Sequence, residues 1–555
     1  MISPKISNND VFDHDVCVIG SGPVGLAFAI EAARTGLSVL ILESGLNGVN
    51  ARQQSLSDAH VVDPSRHDDM SIAVARRFGG TSNLWGARCL PFDPIDFSPR
   101  PGLVDACWPI GWDDFAPFLG AACQLTQSGG PIYRAGVPGV EPGDDEFGFQ
   151  ALERWSNIQQ THIAHRATLA ESTRIDVRLG VTVTGLEFGE TGAVRAIRAV
   201  TLDDRQVAIP TQRVVIAAGG LESTRLLLAA DRQSPGRFGG AGGPLGRYYM
   251  AHVTGEIADI VFAYEKLDRA FDFWVDAKGS YVRRRFTPSQ PTQLRERILN
   301  IALWPVVPHI SDAGHGSAIL SSVYLALAYG PVGRRLVAEA IRKRHIPPAP
   351  REIGAHLANI VTDATTAMTF AYDFIRRRYF STQRLPGFFV HSRSRRYGLF
   401  YQSEQLPRPD SRVRLMKHTD HTGVPKLEID LRFCDSDVDS VLRTHKLFAE
   451  WLKRNGFGRL EWRSSEKELH SYAMSQACHG THQIGTARMA DSAKRGVVDR
   501  DLRTFGSPNL YVASTAVLPT SGQANPTLTA VALAVRLAQH LGLENTRQTM
   551  RTTPT

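Results

Sequence analysis

Asp15-Val16-Cys17-Val18-Ile19-Gly20-Ser21-Gly22-Pro23-Val24-Gly25 is the stretch that decides the fold. Its apolar run predicts a buried strand, its glycines a tight turn, and the following Leu26 to Arg34 a helix. Gly20 permits the turn, Gly22 lets the backbone approach a pyrophosphate, and Gly25 lets the helix lie close on the strand. The helix N-terminus then faces phosphate with its partial positive charge. A second strand, Leu37 to Leu42, ends at Glu43, roughly 20 residues beyond the turn, where a carboxylate accepts from a ribose hydroxyl and disfavours a 2′-phosphate. Strand, turn, helix and acid in this order predict a Rossmann-like α/β domain that binds a dinucleotide other than NADP.

Downstream, Arg76-Arg77-Phe78-Gly79-Gly80-Thr81-Ser82-Asn83-Leu84-Trp85-Gly86 offers small residues, Gly79, Gly80, Thr81 and Ser82, that hold no cofactor away by bulk. With this cluster the sequence resembles the glucose-methanol-choline (GMC) oxidoreductase family, whose matching segment runs along a flavin. The resemblance implies FAD rather than NAD. Trp108-Pro109-Ile110-Gly111-Trp112 and Phe115 to Gln124 are similar to the segment that follows in the family, although by themselves these aromatics read as core. The nucleotide domain returns at Ile175 to Val183 and at Arg213 to Ser223, an apolar strand running into Gly219-Gly220, with Thr224 to Ala230 as the next helix. The resemblance places Val181 by the adenine and Ala218 and Gly219 beside the phosphates. Val181 is equally explained as a core strand residue.

The C-terminal block carries the chemistry. His479-Gly480-Thr481-His482-Gln483-Ile484-Gly485-Thr486 resembles the family's His-x-x-Gly-Thr motif, and Gly522-Gln523-Ala524-Asn525-Pro526-Thr527-Leu528-Thr529 its Asn-Pro motif. Oxidising an alcohol removes a hydroxyl proton while a hydride leaves the carbon for the flavin, so a base must stand beside the oxygen. Histidine, with an ordinary pKa near neutrality, suits His482 to that task. Asn525 donates through its amide without titrating. The resemblance sets Asn525, Pro526 and Thr527 at the start of a helix, Ala530 to His540, whose dipole stabilises negative charge on the reduced ring; Pro526 suits a first-turn position. Two plainer readings stand beside this one: His482 as a packed histidine, and Asn525 as an N-cap. His479 is set aside as the base because the Gly-Thr at the family's spacing follows His482.

Within the family, Gly-Gln-Ala-Asn-Pro-Thr-Leu-Thr resembles pyranose oxidase and bacterial sugar-oxidising relatives, which favours a carbohydrate or carbohydrate-like alcohol. Pyranose oxidase attaches its flavin through a histidine; Leu84 stands at the corresponding place and has no nucleophile, so the FAD is expected to be dissociable. A bulky apolar alcohol, such as a sterol or terpenoid, stays open because the steroid-oxidising branch also uses His and Asn. So do a non-catalytic flavoprotein subunit and a flavin monooxygenase reduced by a pyridine nucleotide. Oxygen or another acceptor would reoxidise the flavin.

The dinucleotide motifs are interrupted, which predicts discontinuous domains: 1–105, 170–256 and 476–545 binding FAD, and 106–169 with 257–475 forming an α+β substrate domain on an antiparallel sheet. In the latter, Ser403 to Leu415 resembles the family's strand that crosses over the flavin, with Glu404 or Gln405 as candidates to face substrate. Lys426 to Arg432 alternates as a half-buried strand does. Between Arg295 and Arg378, apolar segments (Ile319 to Tyr329, Ile353 to Phe374) adjoin basic clusters, Arg342-Lys343-Arg344 and Arg376-Arg377-Arg378; they are too short or too interrupted to span a bilayer but suit a membrane surface, a protein partner or a domain edge. The net charge of +8 is spread along the chain and no nucleic-acid module is present, which argues against nucleic-acid binding. Six cysteines (Cys17, Cys89, Cys107, Cys123, Cys434, Cys478) show no metal or CxxC spacing. Cys17 sits inside the first strand, so reduced thiols and a cytoplasmic location are expected, and Met1 to Phe12 lacks the basic start and apolar core of a secretion signal.

Overall fold

A computed structural model describes residues 12–106, 108–240, 242–336, 352–392 and 394–547, with the backbone of 2–3 and 548–552 and the single residues 6, 342 and 346. Cys107, Lys343, Arg344 and most of the Met1 to Phe12 segment lie outside the described residues.

Val16–Ile19 is the strand expected from the opening motif, and it lies inside a parallel sheet. The six strands run in the order Ile2–Ser3, Ile175–Leu179, Val39–Glu43, Val16–Ile19, Val214–Ile216 and Leu510–Val512. Both faces of this sheet are covered, which is why its central strands are apolar throughout rather than alternating. The helix Pro23–Arg34 follows the turn, and the long helix Thr527–Thr552 packs along it. Gly25 makes the close strand-to-helix approach possible: a Cβ there would stand 2.2 Å from the Gly20 carbonyl oxygen. After Ile175–Leu179 the chain inserts a three-stranded antiparallel sheet (Val181–Phe188, Val194–Thr201, Gln206–Pro210) before returning as Val214–Ile216.

A larger antiparallel sheet stands beside the parallel one. Its strands run Gly458–Trp462, His252–Phe262, Arg396–Glu404, Ile301–Val306, Tyr281–Pro288, Phe147–Trp155 and Arg88–Cys89, with Trp274–Val275 paired to Tyr281–Pro288. Two of these strands draw on stretches expected in the FAD domain: Arg88–Cys89 from 1–105, and the first half of His252–Phe262 from 170–256. The amphipathic helix Asp435–Arg454 buries Phe448 and Trp451 against Phe147, Phe149 and Phe286. The fold is thus a Rossmann-like α/β unit joined to an antiparallel sheet.

One reading of the middle region changes. Ser403 to Leu415 is not one strand: Arg396–Glu404 ends in the large sheet, and Arg412–Thr419 pairs instead with Pro425–Asp430, itself paired with Ala59–Val61. Pro407 and Pro409 between them cannot donate to a ladder, which enforces the break. The interrupted apolar run Ile353 to Phe374 forms two helices, Ile353–Thr362 and Ala364–Tyr379, divided at Asp363, whose side chain caps the second. Ala318–Ala328 packs beside them, with Tyr324 against the ring of His356 at 4.2 Å. No helix among the described residues is long and apolar enough to cross a membrane. The aromatic group around Trp108 is buried against Phe97 and donates its indole N–H to Thr520 at 3.0 Å.

Candidate active site

A cavity of about 580 Å³ is lined from both ends of the chain. Gly20, Gly22, Glu43, Gly80, Thr81, Ser82, Val181, Ala218, Gly219, Asn525, Pro526, Thr527 and His482 all contribute to its wall. Three helices begin there, at Pro23, Gly220 and Thr527, so three helix N-termini turn their partial positive charge toward the same space. Gly80, at φ +53°, lies so close to the first glycine turn that a Cβ would meet the Gly22 Cα at 2.9 Å. The two glycine segments therefore pack on each other and leave backbone facing the cavity, a cradle suited to a dinucleotide pyrophosphate. Glu43 accepts from the Ser21 amide (3.0 Å), the Ser21 hydroxyl (2.6 Å) and the Gly45 amide (2.7 Å). A carboxylate has lone pairs beyond these for a ribose hydroxyl. Gly25 and Gly79 stand behind the wall: the first serves helix packing, and the second, at φ +85°, makes room for His162, whose Nδ1 a Cβ would approach to 2.2 Å. Leu84 lines the cavity, where it offers no group for covalent attachment.

Asn525 is held by side chains from the antiparallel sheet. Arg88 donates to its Oδ1 from Nε (2.9 Å) and Nη2 (2.5 Å), and Gln402 donates to the same oxygen at 3.3 Å. These donors fix which end of the amide is oxygen and leave the Nδ2 hydrogens for another acceptor. They also show that the Asn525 side chain is not spent capping the helix, whose first turn closes through the Pro526 carbonyl and the Ala530 amide at 3.0 Å. Arg88 in turn donates to Glu153 (3.0 Å) and to Gln402 (2.7 Å), and lies over the Trp304 ring at 4.8 Å. Glu153 also pairs with Arg283. Burial pushes its pKa up, but Arg283, Arg88 and Arg285 outweigh this and hold it below the usual carboxylate range. Burial lowers Arg285 to about 10. Three guanidiniums around one carboxylate leave the site net positive, which favours negative charge developing nearby.

His482 stands on the same wall with His479. Burial lowers its pKa well below the ordinary value, with His479, His252 and Arg88 adding to the effect. At neutral pH the ring is therefore uncharged and able to accept a proton. Its Nδ1 lies 2.9 Å from Nδ1 of His252, and its Nε2 takes no hydrogen bond from the described residues.

Glu404 and Gln405 do not reach the cavity. Glu404 is fully buried in a bidentate pair with Arg100 (2.6 and 2.7 Å) and accepts from the Asn300 amide. Gln405 accepts from the Ala251 amide and donates to the Arg432 carbonyl, both at 2.7 Å. The residues of that strand that line the cavity are Gln402 and Phe400, one and two side-chain repeats earlier on the Glu404 face. Arg88, Gln402 and His252 carried no motif in the sequence. Arg88 had one signal, its position immediately after the second glycine cluster.

Comparison with known proteins bears on the family and the fold. The family model described as FAD dependent oxidoreductase matches residues 15–286, and that described as GMC oxidoreductase matches 407–534. The chain carries a GMC oxidoreductase C-terminal domain. It is 24% identical to paromamine 6′-oxidase of Streptomyces fradiae over 95% of this chain and 90% of the relative. It is 28% identical to the fructose dehydrogenase large subunit of Gluconobacter japonicus over 96% and 98%. Its fold is shared with pyridoxine 4-oxidase from Mesorbium loti, at a TM-score of 0.52 and 14% identity, covering 95% of this chain and 99% of that one. The enzyme is accordingly FAD-dependent and acts on CH–OH donors.

Proposed function

We propose that this enzyme oxidises a hydroxyl of a sugar, glycoside or carbohydrate-like compound to the carbonyl. The observation that carries the reading is the convergence of His482 and Asn525 on the cavity built by the glycine turns. His482 Nε2 takes the hydroxyl proton. The Asn525 amide, oriented by Arg88, donates to the same oxygen and holds it while the proton leaves. Bound FAD supplies the two-electron acceptor for the hydride. Burial, with His479, His252 and Arg88 beside it, keeps His482 uncharged between turnovers, and the Arg88, Arg283 and Arg285 guanidiniums around Glu153 favour the alkoxide that forms as the hydroxyl proton departs. A polyhydroxylated substrate is supported by the polar wall that Arg88, Gln402 and Asn525 present, and by relatives named for paromamine and fructose. The FAD is non-covalent on this reading, supported by Leu84 in the cavity wall.

The reading extends to the domains and surroundings. The two sheets support a division into an FAD domain and a substrate domain. Free, buried Cys17, Cys89 and Cys123 support a cytoplasmic location, which cell fractionation checks. The exposed apolar faces of Ile353–Thr362 and Ala364–Tyr379 support a peripheral membrane or protein contact.

Anaerobic spectra of the holoenzyme before and after a panel of sugars, glycosides, aminocyclitols and sterols test the substrate class. Bleaching by the first three, and not by sterols, is expected; bleaching by sterols alone would overturn the carbohydrate assignment. His482→Ala is expected to keep bound flavin and lose about 10³-fold in the rate of substrate-driven reduction. An unchanged rate would remove His482 from its role.

A further inference from the structure

A base needs a bare nitrogen, and a second histidine determines which nitrogen of His482 is bare. His252 opens the strand His252–Phe262 and is fully buried. Its position against His482 is fixed by backbone. Met250 and Ile484 form an antiparallel bridge, exchanging hydrogen bonds of 2.9 and 3.1 Å. Two residues after Met250 and two before Ile484, as antiparallel pairing requires, His252 and His482 come opposite one another. Their rings meet edge-on, at 81° and 4.8 Å between centroids, with the two Nδ1 atoms 2.9 Å apart.

At that distance one Nδ1 carries a hydrogen and the other a lone pair. Burial, with His479 and Arg88 nearby, holds both rings in the uncharged form, so each ring has a single proton. Only two arrangements remain. If His252 donates, the proton of His482 sits on Nε2 and the residue is no base. If His482 donates, its Nε2 is bare and the proton of His252 sits on Nε2. The buried Nε2 of His252 meets no hydrogen-bond partner of either kind among the described residues and does not choose between them; a base at His482 does, because its Nε2 must be bare and its one proton then sits on Nδ1, with His252 accepting.

We propose that His252 is a positioning residue that sets the tautomer of His482, accepting its Nδ1–H so that Nε2 is left as the base. The inference rests on the assignment of His482 as the base. It gives the cross-strand pair a part in turnover without contact between His252 and the substrate.

Ring-¹⁵N histidine spectra of the FAD-loaded enzyme, with His482 assigned by its loss in His482→Ala, should show a protonated Nδ1 and a bare Nε2 on His482. The reverse pattern overturns the proposal without reference to activity. In kinetics, His252→Leu removes the acceptor and should lower kcat about 100-fold, with bound flavin retained and KM within about threefold. His252→Asn, whose Oδ1 can replace the accepting nitrogen, should recover to within about tenfold of the parent. Equal loss in both variants, or no loss in His252→Leu, overturns the proposal. If His482→Ala loses turnover while His252→Leu does not, the tautomer assignment alone fails; if His482→Ala keeps turnover, the base assignment fails and this inference with it.

Discussion

The paired sheets and the helices Ala318–Ala328, Ile353–Thr362 and Ala364–Tyr379, a helical insert after the strand Ile301–Val306, spend their apolar residues in opposite ways. Val16, Val18, Val214 and Val512 in the parallel sheet are wholly buried, and so are Phe286 and Leu399 in the antiparallel one. The insert has a small core of its own around Leu320, Tyr324 and Leu327, yet leaves Val361 81%, Tyr372 72% and Met368 67% exposed. In the sheets a polar side chain must find a partner, because burial strips it of water. In the insert an apolar side chain lacks one. The difference predicts that substitutions in the first region act on stability and chemistry, and those on the outer face of the second act on neither.

The largest effect should come from the buried charges of the core. Arg100→Ala would leave Glu404 as an unpaired carboxylate among Asp96 and Asp93 and is expected to destabilise by about 3–5 kcal/mol in urea unfolding. Equal stability would mean that this pair is hydrated rather than buried. Arg88→Ala comes next. It frees the Asn525 amide to rotate and should lower kcat about 10²-fold, since small misplacement of an orienting group has that effect. Lysine should not restore the rate, because it lacks the fork that reaches Asn525, Glu153 and Gln402 together. A fully active Arg88→Lys enzyme would reduce the role of Arg88 to charge alone.

The contrast also explains what could be seen in the sequence. The turn at Gly20–Gly25 and the helix after it are local: hydrophobic period and glycine placement settle them within a dozen residues, and the structure follows them closely. His482 and Asn525 sat in motifs and reach the cavity. Arg88, Gln402 and His252 come from strands whose partners lie far away in the chain. Which of their side chains meet is fixed by register, and register between distant strands is not written in local pattern. Gln402 and Glu404 show this directly: they share a face of one strand, but the first meets Asn525 and the second meets Arg100. A choice of Glu404 over Gln402 needed only a two-residue displacement. The insert was hard to place for another reason. Its apolar residues are not all buried, so hydrophobicity there does not report on a core.

The junction between the two regions should respond to pH. His391 lies between the insert and the strand Arg396–Glu404, and its ring contacts Asp268 (3.4 Å) and Asp272 (2.9 Å). Hydrogen bonds to Asp268 and Asp272 raise its pKa to about 9. Because the folded value lies above the unfolded one, near 6.5, the stabilisation is complete below about pH 6.5 and is lost as pH rises through 9. The ring is partly exposed, so screening limits the gain to about 1 kcal/mol or less. His391→Gln should therefore destabilise at pH 6 and match the parent above pH 9.5. A difference that persisted at high pH would show that packing, not charge, is at work.

The smallest effect on the enzyme itself should come from the outer face of the insert. Met368, Tyr372, Ile375 and Tyr379 follow a helical repeat on Ala364–Tyr379, and Ile353, Leu357 and Val361 do so on the helix before it; all are exposed. Arg376 and Arg377 emerge at the end of the second stripe, partly offset by Asp373. An apolar stripe edged with arginine suits the headgroup region of an anionic bilayer, where both side-chain types are satisfied together. Met368→Glu with Tyr372→Glu should change unfolding free energy by less than about 0.5 kcal/mol, because neither side chain is buried, and should leave kcat unchanged. The same pair should abolish co-sedimentation with phosphatidylserine vesicles if the stripe meets a membrane. If the parent enzyme ignores vesicles, the membrane reading fails. If the double variant unfolds more readily in vesicle-free buffer, the stripe is covered within the protein and the contrast between the two regions disappears.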